Sequence, residues 1–461
     1  MQQGIRDIID SQRIFFNSGA TRDLKFRKQK LHSLLKVILK REDDILQALH
    51  KDLKKHPFEA FGSEITTLQM ELKHVLRNLD EWAQPETVDT PLVHWPAKSR
   101  ILREPLGLVL IFSPWNYPFL LSLAPVVSAV AAGNCCVVKP SEFSEHTSAL
   151  VADLVREVFE PCHVTVIQGE GSVLGPQLLE QPLFNHVFFT GSPAVGREVM
   201  QLAAKHLIPV TLELGGKSPA IVEADAYISQ AARRIVWGKF WNAGQTCIAP
   251  DYVLVHKSRY DEFVKEAQRF IQLFYGADPL KSNSYGRIIH SRHLRKVASY
   301  IAEGELLSGG KVEEADLYIE PTLIKVNGFD KEVMKNEIFG PVLPVLTFEN
   351  SDEVFSAVAK NPNPLALYVF TSKKSLKNQY LTNIRFGGGG INMPLLHFVT
   401  VDMPLEGIGT SGTGNYHGRY SFETFSHRKS IIISPNFPDV RLKYPPFPAL
   451  KGLIGWLIRK L

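Results

Sequence analysis

Four places in the chain combine residue types at spacings that suit chemistry. Cys247 lies in FWNAGQTCIAPDY, where Gly244, Gln245 and Thr246 form a turn able to hold a thiol clear of its own backbone. As a thiolate it would be a nucleophile; as a thiol it would be a small apolar packing residue. Glu213, in TLELGGKSP, closes an apolar β run and precedes two glycines. It is either a strand-end ion pair with Lys217 or a base whose pKa an apolar pocket lifts. Asn116, in FSPWNYPF, follows a buried strand at its carboxyl end, where open α/β sheets bind ligands, and its side-chain amide suits an oxyanion. The flanking prolines suit a plain turn equally well. Phe189 to Gly196 reads FTGSPAVG, a strand entering Gly191, a short turn through Ser192, Gly196 and then a helix-like REVMQLAAKH. Such a junction lets backbone amides and a helix amino terminus face a phosphate, although the spacing is not GxGxxG and a glycine turn has the same letters.

These groups need a rigid frame, and the hydrophobic periodicity supplies one. Residues 1 to about 84 read as helices: Leu31, Leu34, Leu35, Ile38 and Leu39 recur at three-and-four spacing, with Lys30, Lys36 and Lys40 between them as a solvated face. From Leu106 the texture becomes β and α in alternation. GLVLIFS, CCVVKPSE, HVTVIQG (163–169), HVFFTGS (186–192) and VTLELGG (210–216) are strands with helical segments between them, which argues for a parallel sheet covered on both faces. A second α/β region follows from about 213 to 393, with helices at 226–242 and 258–275 and strands at YVLVH, VLPVLTF and ALYVFTS. Phe119 to Val138 carries no charge over about the length of a membrane span. Pro125 and Gly133-Asn134 break it, so it reads as a buried helix, a tight turn and a strand.

Composition narrows the class. At 461 residues the chain exceeds one typical core, so two or more sizeable domains are expected. Lys and Arg outnumber Asp and Glu by 52 to 47, too even and too dispersed for a nucleic-acid protein. The four cysteines, 135, 136, 162 and 247, show neither metal-type spacing nor a disulfide framework, so no metal site is expected and a reducing, cytoplasmic setting fits. The amino terminus lacks a secretory pattern and no N-x-[ST] acceptor occurs. No internal repeat is present, and the Pro-rich stretch near Pro435 to Pro448 is the one linker-like composition.

Taken together with EIFGP at 337–341, the PWNYP, KPSE, FTGS, ELGGKSP and GQTC blocks resemble the aldehyde dehydrogenase superfamily in order and spacing. The short amino terminus, GQTCIAPDY and GNYHGRYSFETFSH (414–427) look like its class 3 branch, which includes fatty aldehyde dehydrogenases, and the resemblance then covers nearly the whole chain. It implies a Rossmann-like cofactor domain (1–84 and 104–212), a second α/β catalytic domain (213–393) and a small β oligomerisation arm (85–103 and 394–435), which would join the two subunits of a homodimer. It implies NAD, with NADP also used, as cofactor. It assigns Cys247 as nucleophile forming a thiohemiacetal and then a thioester, Glu213 as the base that hydrolyses it, and the Asn116 amide with the Cys247 backbone N–H as oxyanion donors. Lys139 and Glu142 would reach the adenosine ribose, Gly191, Ser192 and Gly196 the pyrophosphate, Glu337 the nicotinamide ribose, and Phe339 the nicotinamide end. Tyr117, Tyr416 and His417 fall to the substrate side, with a packed surface role as the other reading for His417. The expected reaction is oxidation of a medium- or long-chain aliphatic or an aromatic aldehyde to the acid.

Two alternatives stand beside this one. A CoA-acylating aldehyde dehydrogenase would cleave the thioester with CoA, which the presence of Glu213 argues against. The other rests on residues 436–461, an amphipathic tail in which Leu450, Leu453, Ile454, Leu457, Ile458 and Leu461 recur at helical spacing beside Lys451, Arg459 and Lys460. It is too short to span a bilayer, and residues 449–461 could lie on a membrane surface, cover the substrate mouth or pack on their own subunit. In the first case the protein would be membrane-peripheral, with association outweighing catalysis.

Overall fold

The computed structural model describes residues 3–180, 183–439, 444–446 and 452. Contacts divide the chain into a large unit, Met1–Trp82 with Pro105–His427, and a small one, Ala83–Glu104 with Arg428–Leu461. Residues 105–427 thus stay together, whereas the sequence reading began the arm's second segment at 394. The expectations about the 449–461 tail fall outside the described residues, Gly452 apart.

In the large unit the amino-terminal helices form as their periodicity predicts. Leu31, Leu34 and Ile38 of the helix Leu24–Lys40 are wholly buried, whereas Leu39 is half exposed. The lysines between them are not merely solvated: Lys30 Nζ reaches Glu160 at 2.8 Å and the Val158 carbonyl at 3.0 Å.

Strands β1 (Leu108–Phe112), β2 (Cys135–Lys139), β3 (Val164–Val166), β4 (His186–Gly191) and β5 (Val210–Leu214) form a parallel sheet in the order β5-β4-β1-β2-β3. The order reverses between β1 and β4, and open sheets bind ligands in the crevice beyond the carboxyl ends of the strands at such a point. The charge-free stretch is a fully buried helix, Pro118–Ala132, followed by β2. That helix runs on through Pro125 rather than breaking there. It stops at Gly133, whose φ of 93° is the left-handed conformation glycine adopts without a Cβ penalty.

Beyond Leu214 the chain builds a second, seven-stranded sheet from β6 (Pro219–Val222), β7 (Tyr252–His256), β8 (Glu305–Ser308), β9 (Thr322–Lys325), β10 (Val342–Phe348), β11 (Ala366–Phe370) and β12 (Gly388–Ile391). Its order is β8-β9-β10-β7-β6-β11-β12, parallel except for the edge strand β8. The helices Ile228–Phe240 and Tyr260–Tyr275 lie where 226–242 and 258–275 were read. A two-residue strand, β13 (Gly412–Thr413), returns to the first sheet and pairs antiparallel with β5, Gly412 opposite Glu213. The fold is the α/β one expected of the aldehyde dehydrogenases.

The small unit centres on a three-stranded sheet of Glu86–Val88, Lys98–Pro105 and Ser426–Ile433, in that order. Within it Arg103 pairs with Glu86 at 2.6 Å and Lys429 pairs with Glu104.

Candidate active site

Cys247 sits in the loop between the helix Ile228–Phe240 and β7, at the end of an unusual turn. Asn242, Ala243 and Gly244 take φ values of 52°, 50° and 76°, three left-handed residues in succession. For alanine that conformation costs about 1 kcal/mol or more, so the surroundings must impose it. They do so with hydrogen bonds. Glu59 Oε1 accepts from Asn242 N (2.8 Å), Gln245 Nε2 donates to the Asn242 and Arg287 carbonyls (3.0 and 2.9 Å), and Gln245 Oε1 accepts from Ile289 N (3.0 Å). Gly244 also packs backbone to backbone on the EIFGP turn, where a Cβ would lie 2.4 Å from the Gly340 carbonyl. The sequence signals of both blocks meet here.

Glu213 lies on β5, which alternates as a strand must: Leu212 enters the core of the first sheet, and the carboxyl group of Glu213 takes the other face. It is buried, and among the described residues neither carboxylate oxygen has a hydrogen-bond partner. Burial first, then Glu406, push its pKa well above the usual carboxylate range. The ion pair with Lys217 does not form. Lys217 Nζ binds Asp251 at 2.6 Å and the Asn336 carbonyl at 3.0 Å instead, because the strand carries residues 213 and 217 apart while β7 brings Asp251 alongside.

Cys247 and Glu213 share the wall of one cavity of about 270 Å³. Its lining is mostly apolar, with Leu120, Leu121, Trp237, Trp241, Leu396 and Phe398 among the contributors, and it includes Tyr117 and Tyr416. Burial pushes the Cys247 thiol up to about 12, with Glu337 and Glu213 adding repulsion and the backbone N–H groups of Cys247 and Ile248 working against it. Asn116 is buried and is not part of the wall, but its amide donates to the Gln245 carbonyl at 3.0 Å, two residues before the cysteine. Tyr117 Oη and Thr246 Oγ1 are 2.6 Å apart, a second tie between the two loops. His417 is buried, not a surface residue. Its ring packs on Tyr416 and Phe398, at centroid distances of 4.5 and 4.8 Å, and stays off the cavity wall.

The expected cofactor residues gather at the carboxyl ends of the first sheet and on the EIFGP turn. Lys139 ends β2 and pairs with Glu142, whose Oε1 accepts from Gly171 N at 2.9 Å. Burial raises the Glu142 pKa, but Lys139 and the Gly171 amide outweigh it and hold the carboxyl below its usual range. Gly191 ends β4, and Ser192 caps the helix Pro193–Ala204, its hydroxyl accepting from Val195 N at 3.4 Å. Gly196 lies against Leu214, where a Cβ would come within 2.6 Å of the side chain. Glu337 lies against Gly215, where a Cβ would sit 1.8 Å from its Oε2, so a side chain at 215 would displace the carboxylate. Phe339 holds φ at 54° and packs edge-on to Trp115 at 5.2 Å. This donor set fits a dinucleotide. It offers a cation and an anion for a ribose edge, a capped helix amino terminus for phosphate, and a second carboxylate for ribose hydroxyls.

Sequence reasoning missed the residues behind the cavity. Lys55, Glu59 and Glu64 are buried, Lys55 and Glu64 completely. In KKHPFEAFGSE no local signal marks these charged residues as buried, and the sequence assigns them no role.

The sequence matches the aldehyde dehydrogenase family over residues 3–431, and the chain belongs to that family. It is 42% identical over 435 residues to the 4,4'-diaponeurosporen-aldehyde dehydrogenase of Staphylococcus aureus, covering 94% of each chain. It is 40% identical over 444 residues to the dimeric NADP-preferring aldehyde dehydrogenase of Canis lupus familiaris, covering 96% of this chain and 98% of that one. A solved structure of substrate-bound AldH from Staphylococcus aureus superposes with a TM-score of 0.95 at 40% identity, over 99% of both chains. Other relatives at 38–42% identity are named family 3 aldehyde dehydrogenases, as the class 3 resemblance implied. The protein is an NAD(P)-dependent aldehyde dehydrogenase.

Proposed function

We propose that the chain oxidises apolar aldehydes, medium- or long-chain aliphatic or aromatic, to carboxylic acids, with Cys247 as nucleophile and Glu213 as base. The observation that carries this is the shared cavity: an apolar wall on which a thiol and a carboxyl group with no hydrogen-bond partner among the described residues both open. The staphylococcal relative is named for an aldehyde substrate, 4,4'-diaponeurosporen-aldehyde, in agreement with aldehyde oxidation here.

The thiol at about 12 is almost wholly protonated near neutrality, so attack comes from the small fraction that has released its proton to solvent. Glu213 is the base of the later, hydrolytic step, buried on the same cavity wall as the sulfur. Attack of the Cys247 sulfur on the aldehyde carbon gives a thiohemiacetal oxyanion, for which the Cys247 backbone N–H and the second N–H of the Asn116 amide are the donors, the first being held on Gln245. NAD(P), when bound, takes up the hydride and brings a positive charge to the site. The thioester left on Cys247 is hydrolysed by water that Glu213 deprotonates, and the acid departs. Lys139, Glu142, Gly191, Ser192, Gly196, Glu337 and Phe339 hold the cofactor. Paired with each other, Lys139 and Glu142 leave little net charge, which suits both NAD and NADP.

A homodimer agrees with the name of the canine relative, which is called dimeric, and the small unit would join its two subunits. Among the described residues no helix is long and apolar enough to cross a membrane. The test is NAD(P)H formation at 340 nm with aldehydes of increasing chain length, with and without CoA. Turnover without CoA that rises with chain length is expected. Strict dependence on CoA would remove Glu213 from its role.

A further inference from the structure

One short segment holds both catalytic loops from behind. Residues 57–60 form a helical turn that continues into a π-helix, Phe61–Thr66, a wide turn often found at functional sites. One part of it, Gly62 and Ser63, lines the substrate cavity. The other carries Glu59 and Glu64, with Lys55 just before it.

Lys55 Nζ is fully buried and has three engagements: Glu64 Oε1 at 2.5 Å, the Asn116 carbonyl at 2.9 Å, and the Tyr117 ring, 4.1 Å from its centroid. Glu64 Oε2 accepts from Phe119 N (2.9 Å) and Leu120 N (3.2 Å), two of the free amides at the start of the helix Pro118–Ala132. The pair therefore grips Asn116 and Tyr117 from both sides. The same Asn116 carbonyl accepts from Asn242 Nδ2 (2.9 Å), and Asn242 also donates to Glu59 and to the Gln245 carbonyl (3.1 Å). A buried ion pair adds little to stability, since the desolvation of two charges offsets their attraction. Fixing a geometry is a better account of it.

We propose that Lys55, held by Glu64, is a positioning residue for the oxyanion donor: it fixes the Asn116 backbone so that the side-chain amide bridges to the cysteine loop. This rests on the reading of Asn116 as that donor. Lys55 touches neither substrate nor cysteine and acts through Asn116.

The test is a double-mutant cycle on the full-length enzyme. Lys55→Met with Glu64→Gln removes both charges together and keeps an acceptor for the Phe119 and Leu120 amides. Displacing a reacting group by about 1 Å can cost a hundredfold, so kcat should fall tenfold to a hundredfold, with aldehyde KM and cofactor Kd within about twofold. In an Asn116→Ala background the same pair should cost less than about twofold, because the group it positions is gone. Equal losses in both backgrounds, or an unchanged kcat, would overturn the proposal. If Asn116→Ala by itself keeps full activity, the donor reading fails and takes the proposal with it. If Asn116→Ala is crippled and the Lys55/Glu64 variant is not, the positioning alone fails. Should the neutral pair not fold, Lys55→Arg with Glu64→Asp keeps both charges and moves the donor by roughly one bond. A fall in kcat at an unchanged melting temperature then supports the proposal, and an unchanged kcat overturns it.

Discussion

Replacing Glu59 with Gln should stabilise the enzyme in alkaline but not in acid solution. Burial, the largest influence, lifts this carboxyl from its ordinary 4.5 to about 7, against the opposing pull of Lys55 and the Asn242 N–H. The folded protein therefore keeps a proton that the unfolded chain has released, and stability falls as pH rises from about 4.5 to about 7, then levels. The interval from 4.5 to 7 is 2.5 pH units. At 1.36 kcal/mol each, the penalty above pH 7 is about 3 kcal/mol. Glutamine carries no charge and keeps an acceptor for Asn242 N, so it escapes that penalty without opening the turn. For a chain of 461 residues this is roughly 3 °C in Tm. Thermal melts of the two proteins from pH 4.5 to 8.5 should coincide at the acid end and separate progressively, Glu59→Gln higher. A constant gap, or a variant that melts lower at pH 8, would refute the buried-acid argument.

The remaining predictions concern chemistry. Cys247→Ala should abolish dehydrogenase turnover while NAD binding, followed by fluorescence, stays near normal; residual turnover would remove the cysteine from its role. Glu213→Gln loses no hydrogen bond among the described residues, so its effect should be purely chemical: a burst of NADH, then a steady state slower by about 10² to 10⁴. A burst lost in equal measure would assign Glu213 to the first half of the reaction. Gly215→Ala places a methyl group where the Glu337 carboxylate lies, and should raise the cofactor KM about tenfold or more with little change in aldehyde KM; equal cofactor kinetics would mean that Glu337 does not hold the ribose.

Much of the frame was legible because it obeys local rules. The strands of the first sheet and the buried helix Pro118–Ala132 declare themselves through apolar runs bounded by glycine and proline. The site was legible where its residues sit on those boundaries, as Glu213 and Asn116 do. It was illegible where a role depends on distant partners. Lys217 looked like a mate for Glu213 at four residues' remove, yet its mate is Asp251 on another strand. Lys55, Glu59 and Glu64 have the composition of a wet surface, and only tertiary packing buries them. Proline at 125 misled in the other direction, since an all-buried helix tolerates it.

The pairing of β13 with β5 bears on how the protein is made. Gly412 lies opposite Glu213, 199 residues earlier in the chain (412 less 213), and the Asn134 side chain bonds the Phe425 carbonyl across a still longer span, at 2.9 Å. A ribosome adding roughly 5–20 residues per second needs about 10 to 40 s to travel from the glutamate to its partner strand. Through that interval the nascent first sheet ends in a bare edge at β5, open to wrong pairing, with the glutamate at its margin. Completion of the base is thus among the last events of synthesis, and a chain truncated before residue 412 would carry nucleophile and cofactor residues yet leave that edge uncovered.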